Sequence, residues 1–274
     1  MKFETIRGVQ IPKIGFGTWK IGGERTANLD LDEKSNAALH SAIELGYTFF
    51  DTAESYAANH CEDLLGEVIH EYGVQREKLF ITSKVSPDHL EYEAVLEACE
   101  GSLRRLRTEY LDLYLIHWPN PKTKLEETFR ALNKLVRDGK VKHVGVSNFN
   151  LRLLKKSCAL SETPLLTNQV PYNLPNRKYA ANGVLEFCQR SDILITAYSP
   201  IKFRNLNVNL TLKSIAEAHH ATPAQIAIAW LIAQPRVITI PMSFTPQHQK
   251  ENFDAADIEL SEQEIQSLNK LYSR

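Results

Sequence analysis

The sequence lacks the features that mark a disulfide-rich, zinc-binding or membrane-spanning protein. It has 4 cysteines in 274 residues, and Cys61, Cys99, Cys158 and Cys188 form no Cys-x-x-Cys pair. This spacing predicts free thiols and no metal site. No run of about 18 consecutive apolar residues occurs, so we expect no membrane span and no association with a membrane. The first residues do not have the pattern of a signal peptide, and we therefore expect a cytoplasmic protein.

An excess of charge of one sign is also missing. The 32 basic and 33 acidic residues leave a formal net charge of -1. A protein that binds nucleic acid or an anionic membrane surface carries a basic patch or a basic excess. We therefore expect no nucleic-acid partner, and we expect the protein to act on small molecules.

Short apolar runs alternate with helical patterns along the chain. The eight runs cover residues 14–16, 47–50, 79–82, 111–116, 144–146, 165–169, 193–197 and 237–240. Such alternation is typical of parallel βα units. Eight units of about 34 residues predict a (β/α)8 TIM barrel, formed by a single domain over residues 1–274.

Additions are expected at both ends of this barrel. Residues 1–12 alternate in hydrophobicity and predict a β-hairpin that closes the barrel bottom. Thr222 and Gln225 form one predicted capping box, and Ser261 and Glu264 form another, which would open an extra C-terminal helix. The competing architecture is an open doubly wound sheet, which requires a Gly-x-Gly-x-x-Gly turn. Residues 15–20, GFGTWK, lack the third glycine.

Three ionisable residues follow successive predicted strands at equal intervals. Asp51, Lys84 and His117 are each 33 residues apart, which corresponds to one βα repeat. The carboxyl ends of barrel strands carry the active site, so these side chains should lie close together on one face. Tyr56 follows in the loop after Asp51. A helix cap, a solvated lysine and a packed histidine would explain each residue singly, but not the shared spacing.

These four residue types together suit proton transfer to an oxygen atom. A tyrosine hydroxyl has a pKa near 10, and an adjacent ammonium, here Lys84, should lower it. Asp51 can hold Lys84 in its charged form, and His117 can orient a carbonyl oxygen. Tyr56 would then be a general acid. No side chain can deliver a hydride, so a cofactor must supply it.

Several motifs in register resemble the aldo-keto reductase superfamily. GYTFFDTAESY (residues 46–56) with EDLLG (residues 62–66) resembles its first signature, and LDLYLIHWP (residues 111–119) and GVSNF (residues 145–149) resemble two others. AYSP (residues 197–200) and IP (residues 240–241) follow in the expected order. The match covers nearly the whole chain. The sequence is similar to those of the short, prokaryote-like NAD(P)H-dependent aldehyde and ketone reductases.

The resemblance implies a monomeric, cytosolic oxidoreductase that reduces aldehydes and ketones to alcohols. Tyr56 would be the proton donor, with Asp51 and Lys84 as its activating pair and His117 as the orienting group. Trp19, Tyr56, His117 and Trp118 would line the substrate pocket. The residues implied to bind the cofactor are Thr18, Trp19, Asp51, Ser147, Asn148, Gln169, Tyr198, Ser199, Ile201, Ser243, Gln247, Glu251 and Asn252.

One departure from the family pattern concerns the cofactor. The family usually has a lysine and an arginine that hold the 2′-phosphate of NADPH, and Met242 and His248 stand at those positions. The resemblance implies NADP(H), but the loss of two cations makes NAD(H) or dual use plausible. Ser243, Gln247, Lys250 and a protonated His248 are the candidates for partial compensation.

The substrate and two alternative functions remain open from the sequence. The short connection over residues 118–124, and the end of the chain at Arg274 directly after the last helix, predict an open pocket for small aldehydes and ketoaldehydes. One alternative is a Schiff-base aldolase that uses Lys84 on the same barrel. The other is a non-catalytic subunit that senses the cofactor.

Overall fold

The computed structural model describes residues 1–202 and 206–272, so Arg274 lies outside the described part. Its central feature is a sheet of eight parallel strands in sequence order. These strands are β3 (Phe16–Gly17), β4 (Phe49–Asp51), β5 (Phe80–Val85), β6 (Leu111–Ile116), β7 (Val141–Ser147), β8 (Thr167–Pro171), β9 (Leu194–Tyr198) and β10 (Val237–Thr239), preceded by β1 (Phe3–Ile6) and β2 (Val9–Pro12).

The first and last strands of this sheet meet and close the barrel. Ile14 forms a parallel bridge with Thr239. The amide of Gly15 donates to the carbonyl of Thr239, and the amide of Thr239 donates to the carbonyl of Lys13, both at 2.8 Å. A Cβ on Gly17 would lie 2.6 Å from the carbonyl oxygen of Ile240, so this seam requires glycine. The predicted (β/α)8 fold is confirmed.

Helices follow the barrel strands as the alternation predicts. They are α1 (Asp32–Glu44), α2 (His60–Tyr72), α3 (Tyr92–Arg105), α4 (Leu125–Arg137), α5 (Leu151–Leu160), α6 (Lys178–Ala181), α7 (Val184–Arg190), α8 (Leu210–Ala218), α9 (Pro223–Ile232), α10 (Pro246–Asp254) and α11 (Glu262–Lys270). Short 3-10 turns cover Leu29–Leu31, Arg76–Lys78, Pro87–His89, Leu206–Val208 and Ala255–Asp257, and a turn with left-handed residues covers Tyr56–Asn59. Both predicted capping boxes form, at the starts of α9 and α11.

The N-terminal hairpin covers one end of the barrel, as predicted. Strands β1 and β2 pair antiparallel, and Ile6 and Ile11 are fully buried against the side chains that fill the barrel. Arg7 donates to the carbonyl of Leu165, which precedes β8, at 3.0 Å. The hairpin therefore seals the end at which the strands begin, and the opposite end is left for a site.

Six of the eight barrel strands end one or more residues later than the predicted runs. Asp51 is the last residue of β4, and Lys84 lies inside β5 rather than after it. The polar side chains of Asp51 and Lys84 can lie inside the barrel because they bind each other. A buried charge is stable only when it is paired. No helix among residues 1–202 and 206–272 is long and apolar enough to span a membrane.

Candidate active site

Lys84 is the centre of a buried cluster at the carboxyl ends of β4 and β5. Its ammonium, which is fully buried, donates to Oδ1 of Asp51 at 2.5 Å, to the carbonyl of Thr52 at 2.7 Å and to Oη of Tyr56 at 3.1 Å. These three bonds use all three protons of the ammonium. Because Oη of Tyr56 accepts from Lys84, the phenol proton is free to be given to another acceptor.

Burial and charge act in opposite directions on the pKa values of this cluster. Burial would lower the pKa of Lys84, but the attraction and hydrogen bonds of Asp51 and Tyr56 together outweigh it and raise the pKa above its ordinary value. Burial raises the pKa of Asp51, and Lys84 together with Nε2 of Gln169, which donates to Oδ2 of Asp51 at 2.7 Å, opposes this rise. Lys84 is therefore an ammonium at neutral pH.

The pKa of Tyr56 differs from the sequence-based expectation. Burial raises the pKa of its phenol, and the ammonium of Lys84 opposes this rise without reversing it. The net lowering of the Tyr56 pKa that the sequence led us to expect is wrong, because burial of the phenol has a larger effect than the neighbouring ammonium. Tyr56 is thus fully protonated at neutral pH, as a proton donor must be.

His117 follows β6 and faces the same phenol. Its ring lies edge-on to that of Tyr56, with the centroids 5.6 Å apart. Burial, together with the charge of Lys84, lowers the pKa of His117 to about 3. The hydroxyl of Ser55 lies 3.2 Å from Nδ1. When Ser55 donates this bond, Nε2 of the neutral ring carries the proton and can donate it toward a substrate oxygen.

Backbone strain is concentrated directly after Tyr56. Ala57, Ala58 and Asn59 have φ values of 48°, 51° and 80°, in the left-handed region that L-residues rarely adopt. The amide of Ala57 donates to the carbonyl of Glu24 at 2.9 Å, which ties this turn to the loop after β3. Such strain occurs where the surroundings impose a conformation. Here the turn directs Tyr56 back over Lys84.

A cavity of about 960 Å³ opens over this cluster. Trp19 stands edge-on to Tyr56 with the ring centroids 5.0 Å apart, and Trp118 lines the cavity with about half of its surface exposed. The other predicted residues in its lining are Thr18, Asp51, His117, Ser147, Asn148, Gln169, Tyr198, Ser199 and Ile201. The cavity is large enough for a small substrate together with part of a cofactor.

Four of these residues form a hydrogen-bonded network on the far wall. The hydroxyl of Tyr198 donates to Oδ1 of Asn148 at 2.9 Å, and Nδ2 of Asn148 donates to Oγ of Ser147 at 2.9 Å and to the carbonyl of His117 at 3.1 Å. Oγ of Ser147 donates to the carbonyl of Gln169 at 3.0 Å. Among the described residues, none donates a hydrogen bond to the side-chain oxygen of Gln169, which can accept one from a ligand. An oxygen acceptor beside an aromatic ring fits the amide group and the flat ring of a nicotinamide.

Not all of the predicted cofactor residues are in a position to contact a ligand in the cavity. Thr18 is buried, and its hydroxyl donates to the carbonyl of Asp51 at 3.0 Å, so it supports that residue. Ser243, Gln247, Glu251 and Asn252 do not line the cavity but lie beyond Met242, which does.

Two of the residues expected to compensate for the lost cations are bound elsewhere. Nζ of Lys250 pairs with Asp254 at 2.5 Å, and the amide of Gln247 donates to Glu251 at 3.1 Å.

Several residues at the site were missed by reasoning from the sequence. Ser55 is one, and its position next to Tyr56 was the only signal for it. Lys20, Arg25 and Lys202 also line the cavity and make its rim basic, although Lys20 pairs with Glu24 at 2.6 Å. They lie in loops, where no periodicity predicts which way a side chain points.

Comparison with known proteins gives one family throughout. The sequence model of the Aldo/keto reductase family matches residues 13–273. The chain is 38% identical over 270 residues to Methylglyoxal reductase YeaE of Escherichia coli (strain K12), covering 96% of this chain and 92% of that protein. It is also 38% identical over 266 residues to Glyoxal reductase of Bacillus subtilis (strain 168), covering 96% and 90%.

Solved structures give the same result. The thermostable aldo-keto reductase Tm1743, in complex with the inhibitor epalrestat, is 43% identical with a TM-score of 0.94, covering 99% of this chain and all of that chain. An aldo/keto reductase from Klebsiella pneumoniae, in complex with NADP and acetate, is 35% identical with a TM-score of 0.89, covering 99% and 95%.

Proposed function

Because this chain belongs to the aldo/keto reductase family, it is an NAD(P)H-dependent oxidoreductase that reduces carbonyl groups, and we propose that Tyr56 is its proton donor. The observation that carries this assignment is the contact of 3.1 Å between Nζ of Lys84 and Oη of Tyr56. A bound reduced nicotinamide supplies the hydride to the carbonyl carbon. The proposed role of the protein is to supply the proton to the oxygen and to stabilise the charge left behind.

The proton moves from Oη of Tyr56 to the carbonyl oxygen as the carbon accepts the hydride. The O–H bond of the phenol breaks, an O–H bond of the alcohol forms, and the phenol becomes a phenolate. Lys84 stabilises that phenolate more strongly than it stabilises the phenol, so its effect is greatest as the proton leaves. The proton is then regained from solvent through the open side of the cavity.

His117 orients the carbonyl oxygen in this proposal. Its ring is neutral near pH 7 because its pKa is about 3. A neutral imidazole that holds a proton on Nε2 can donate a hydrogen bond without taking the reacting proton itself. We propose that Ser55 donates to Nδ1, which keeps the proton on Nε2 and makes Ser55 a positioning residue.

Ser147, Asn148, Gln169 and Tyr198 are proposed to hold the nicotinamide, with Ser199 and Ile201 along the adjoining phosphates. Glu251 and Asn252, together with Ser243 and Gln247, would contact the adenosine end. We favour NADPH, which the aldo/keto reductase of Klebsiella pneumoniae binds as NADP. We further propose that the whole chain acts as one domain, as a monomer and in the cytoplasm.

Small aldehydes and ketoaldehydes are the proposed substrates. Methylglyoxal and glyoxal are named for the two curated relatives. The exposed ring of Trp118 and the open cavity are consistent with small, reactive carbonyls that need little recognition beyond the carbonyl group. Reduction of methylglyoxal and of a bulky ketone by the purified protein, compared by kcat/KM, tests this proposal. A higher kcat/KM for the bulky ketone would contradict it.

The two alternative functions are not supported. A Schiff-base lysine must lose its proton, and Asp51 raises the pKa of Lys84 against the effect of burial. A non-catalytic subunit would not need Asp51, Lys84, Tyr56 and His117 together, and the curated relatives above are named as reductases.

The assignment of Tyr56 is tested by replacing it with phenylalanine. Tyr56→Phe removes only the hydroxyl, and we expect kcat to fall by about 10²- to 10⁴-fold while NADPH still binds, as measured by quenching of protein fluorescence. Tyr114→Phe is the matched control. Tyr114 is fully buried, and its hydroxyl has no hydrogen-bond partner among the described residues, so kcat should not change. A Tyr56→Phe enzyme that keeps near-normal turnover would refute the assignment.

A further inference from the structure

The cavity ends beside a part of the surface to which no role has yet been assigned. Its lining runs from Tyr56 and Tyr198 along Pro241 to Met242. The proposed function places the phosphates of the cofactor along Ser199 and Ile201 and its adenosine end at Ser243, so the cofactor would leave the cavity past Met242. The next residues, Ser243 and Phe244, lead into α10. The adenosine end of the cofactor would therefore lie against the surface around Phe244.

The side chains of α10 at this surface include few cations that are not already paired with a carboxylate. Lys250 is paired with Asp254 at 2.5 Å, and the amide of Gln247 is bound to Glu251 at 3.1 Å. His248 is exposed, and Met242 is apolar. A phosphate group at this end would need a cation from another element of the fold.

Lys34 on α1 supplies a cation at this place. Its Nζ lies over the ring of Phe244, 4.9 Å from the centroid. Lys34 is exposed, and no carboxylate among the described residues forms an ion pair with it. A cation–π contact at an exposed position is weak. The ammonium can therefore exchange the ring for a stronger partner without breaking an ion pair.

The position of α1 against this segment is fixed by a second contact. Ala38 lies one helical turn after Lys34 and hence on the same side of α1. Nε2 of Gln249 donates to the carbonyl of Ala38 and to the carbonyl of Ser243, both at 2.9 Å. One buried amide thus links the helix that carries Lys34 to the loop that carries Ser243. The packing of α1 against this loop therefore keeps the backbone of Lys34 within reach of Phe244.

We propose that Lys34 is the cation that binds the 2′-phosphate of NADPH in this protein, in place of the cations missing at Met242 and His248. The proposal rests on the cofactor site of the proposed function. NADH has a hydroxyl where NADPH has this phosphate, so Lys34 distinguishes the two cofactors and contributes nothing to what they share. Phe244 holds the lysine side chain at the edge of the site until the phosphate binds.

The test measures the dissociation constants of NADPH and NADH without turnover, by quenching of protein fluorescence. Wild-type protein should bind NADPH more tightly. Lys34→Ala should weaken NADPH binding by about tenfold, the effect of one charged hydrogen bond, and leave NADH binding unchanged. Lys34→Arg should keep the preference. Added salt should reduce the preference of the wild type but have little effect on Lys34→Ala, because it screens the exposed charge.

Two controls separate this proposal from the proposed function. Lys250→Ala removes an exposed lysine from the same surface, and the preference should persist because Asp254 already holds that cation. Competition by 2′,5′-ADP, compared with 5′-AMP, reports the adenosine end alone and should show the same loss in Lys34→Ala. If wild-type protein binds neither NADPH nor NADH, the proposed function itself fails. If it binds NADH at least as tightly, or if Lys34→Ala keeps the preference for NADPH, the role of Lys34 is refuted while the reductase site remains.

Discussion

The neutral His117 makes the folding stability of this protein sensitive to acid. In the folded protein its pKa is about 3, against an ordinary value of 6.5 for histidine. Because the folded pKa lies below the unfolded one, the unfolded chain binds a proton first as the pH falls. The stabilisation associated with the neutral ring is complete above pH 6.5 and is lost between pH 6.5 and pH 3. Each unit of pKa shift corresponds to about 1.4 kcal/mol.

The size of this loss follows from the two pKa values. Between pH 7 and pH 4 the proton taken up by the unfolded state at this residue alone lowers the free energy of unfolding by about 3 kcal/mol. Replacing His117 with asparagine removes that titration and keeps a polar side chain. We therefore expect the loss of stability from pH 7 to pH 4 to be smaller in His117→Asn by about this amount. Other titrating groups contribute equally to both proteins and cancel in the difference.

Urea denaturation at pH 7 and pH 4, followed by circular dichroism, measures both losses. The slope with urea must agree between the two proteins, so that the comparison concerns stability alone. Equal losses in wild type and His117→Asn would refute the conclusion that the ring is held neutral by its burial and by Lys84. The same reasoning predicts that kcat/KM of the wild type shows no step near pH 6.5.

Two further predictions concern residues next to Tyr56. Ser55→Ala should lower kcat by about two- to tenfold, the effect of one neutral hydrogen bond. It should also change the tautomer of His117, as measured by nitrogen NMR, whereas Ser55→Thr should keep both kcat and the tautomer of the wild type. An unchanged tautomer in Ser55→Ala would contradict this role. Ala58→Gly should raise the free energy of unfolding by about 0.5–1 kcal/mol, because the relief of left-handed strain exceeds the entropy cost of glycine at this exposed position. Lower stability of Ala58→Gly in thermal or urea denaturation would show that the turn is not strained.

The placement of Asp51, Lys84 and His117 was predictable because a barrel repeats. Residues one βα unit apart fall on neighbouring strands at the same height, so an interval of 33 residues is a geometric statement. The hairpin and the two capping boxes were predictable for a similar reason, since each depends on residues close together in the sequence. In all these cases the relation between sequence spacing and distance in space is fixed by regular structure.

Other features were not predictable because they depend on depth or on distant loops. The pKa of Tyr56 rises because the phenol is buried, and the sequence does not state how deeply a loop residue lies. The contact between Lys34 and Phe244 joins a helix near the start of the chain to a loop near its end. No periodic pattern relates two such positions. Only the closure of the barrel, which brings α1 against α10, places them side by side.

Tyr56 and His117, the two groups proposed to face the substrate, both depend on the ammonium of Lys84. The ammonium of Lys84 helps to lower the pKa of His117 and opposes the rise in the pKa of Tyr56. Both effects favour the same direction of proton transfer, because a charged His117 would compete with Tyr56 as the acid and a phenol without Lys84 would hold its proton too strongly. Asp51 is required for both, since it keeps the buried amine charged. In the proposed mechanism the site therefore delivers a single proton, from Tyr56, and the neighbouring imidazole orients the acceptor.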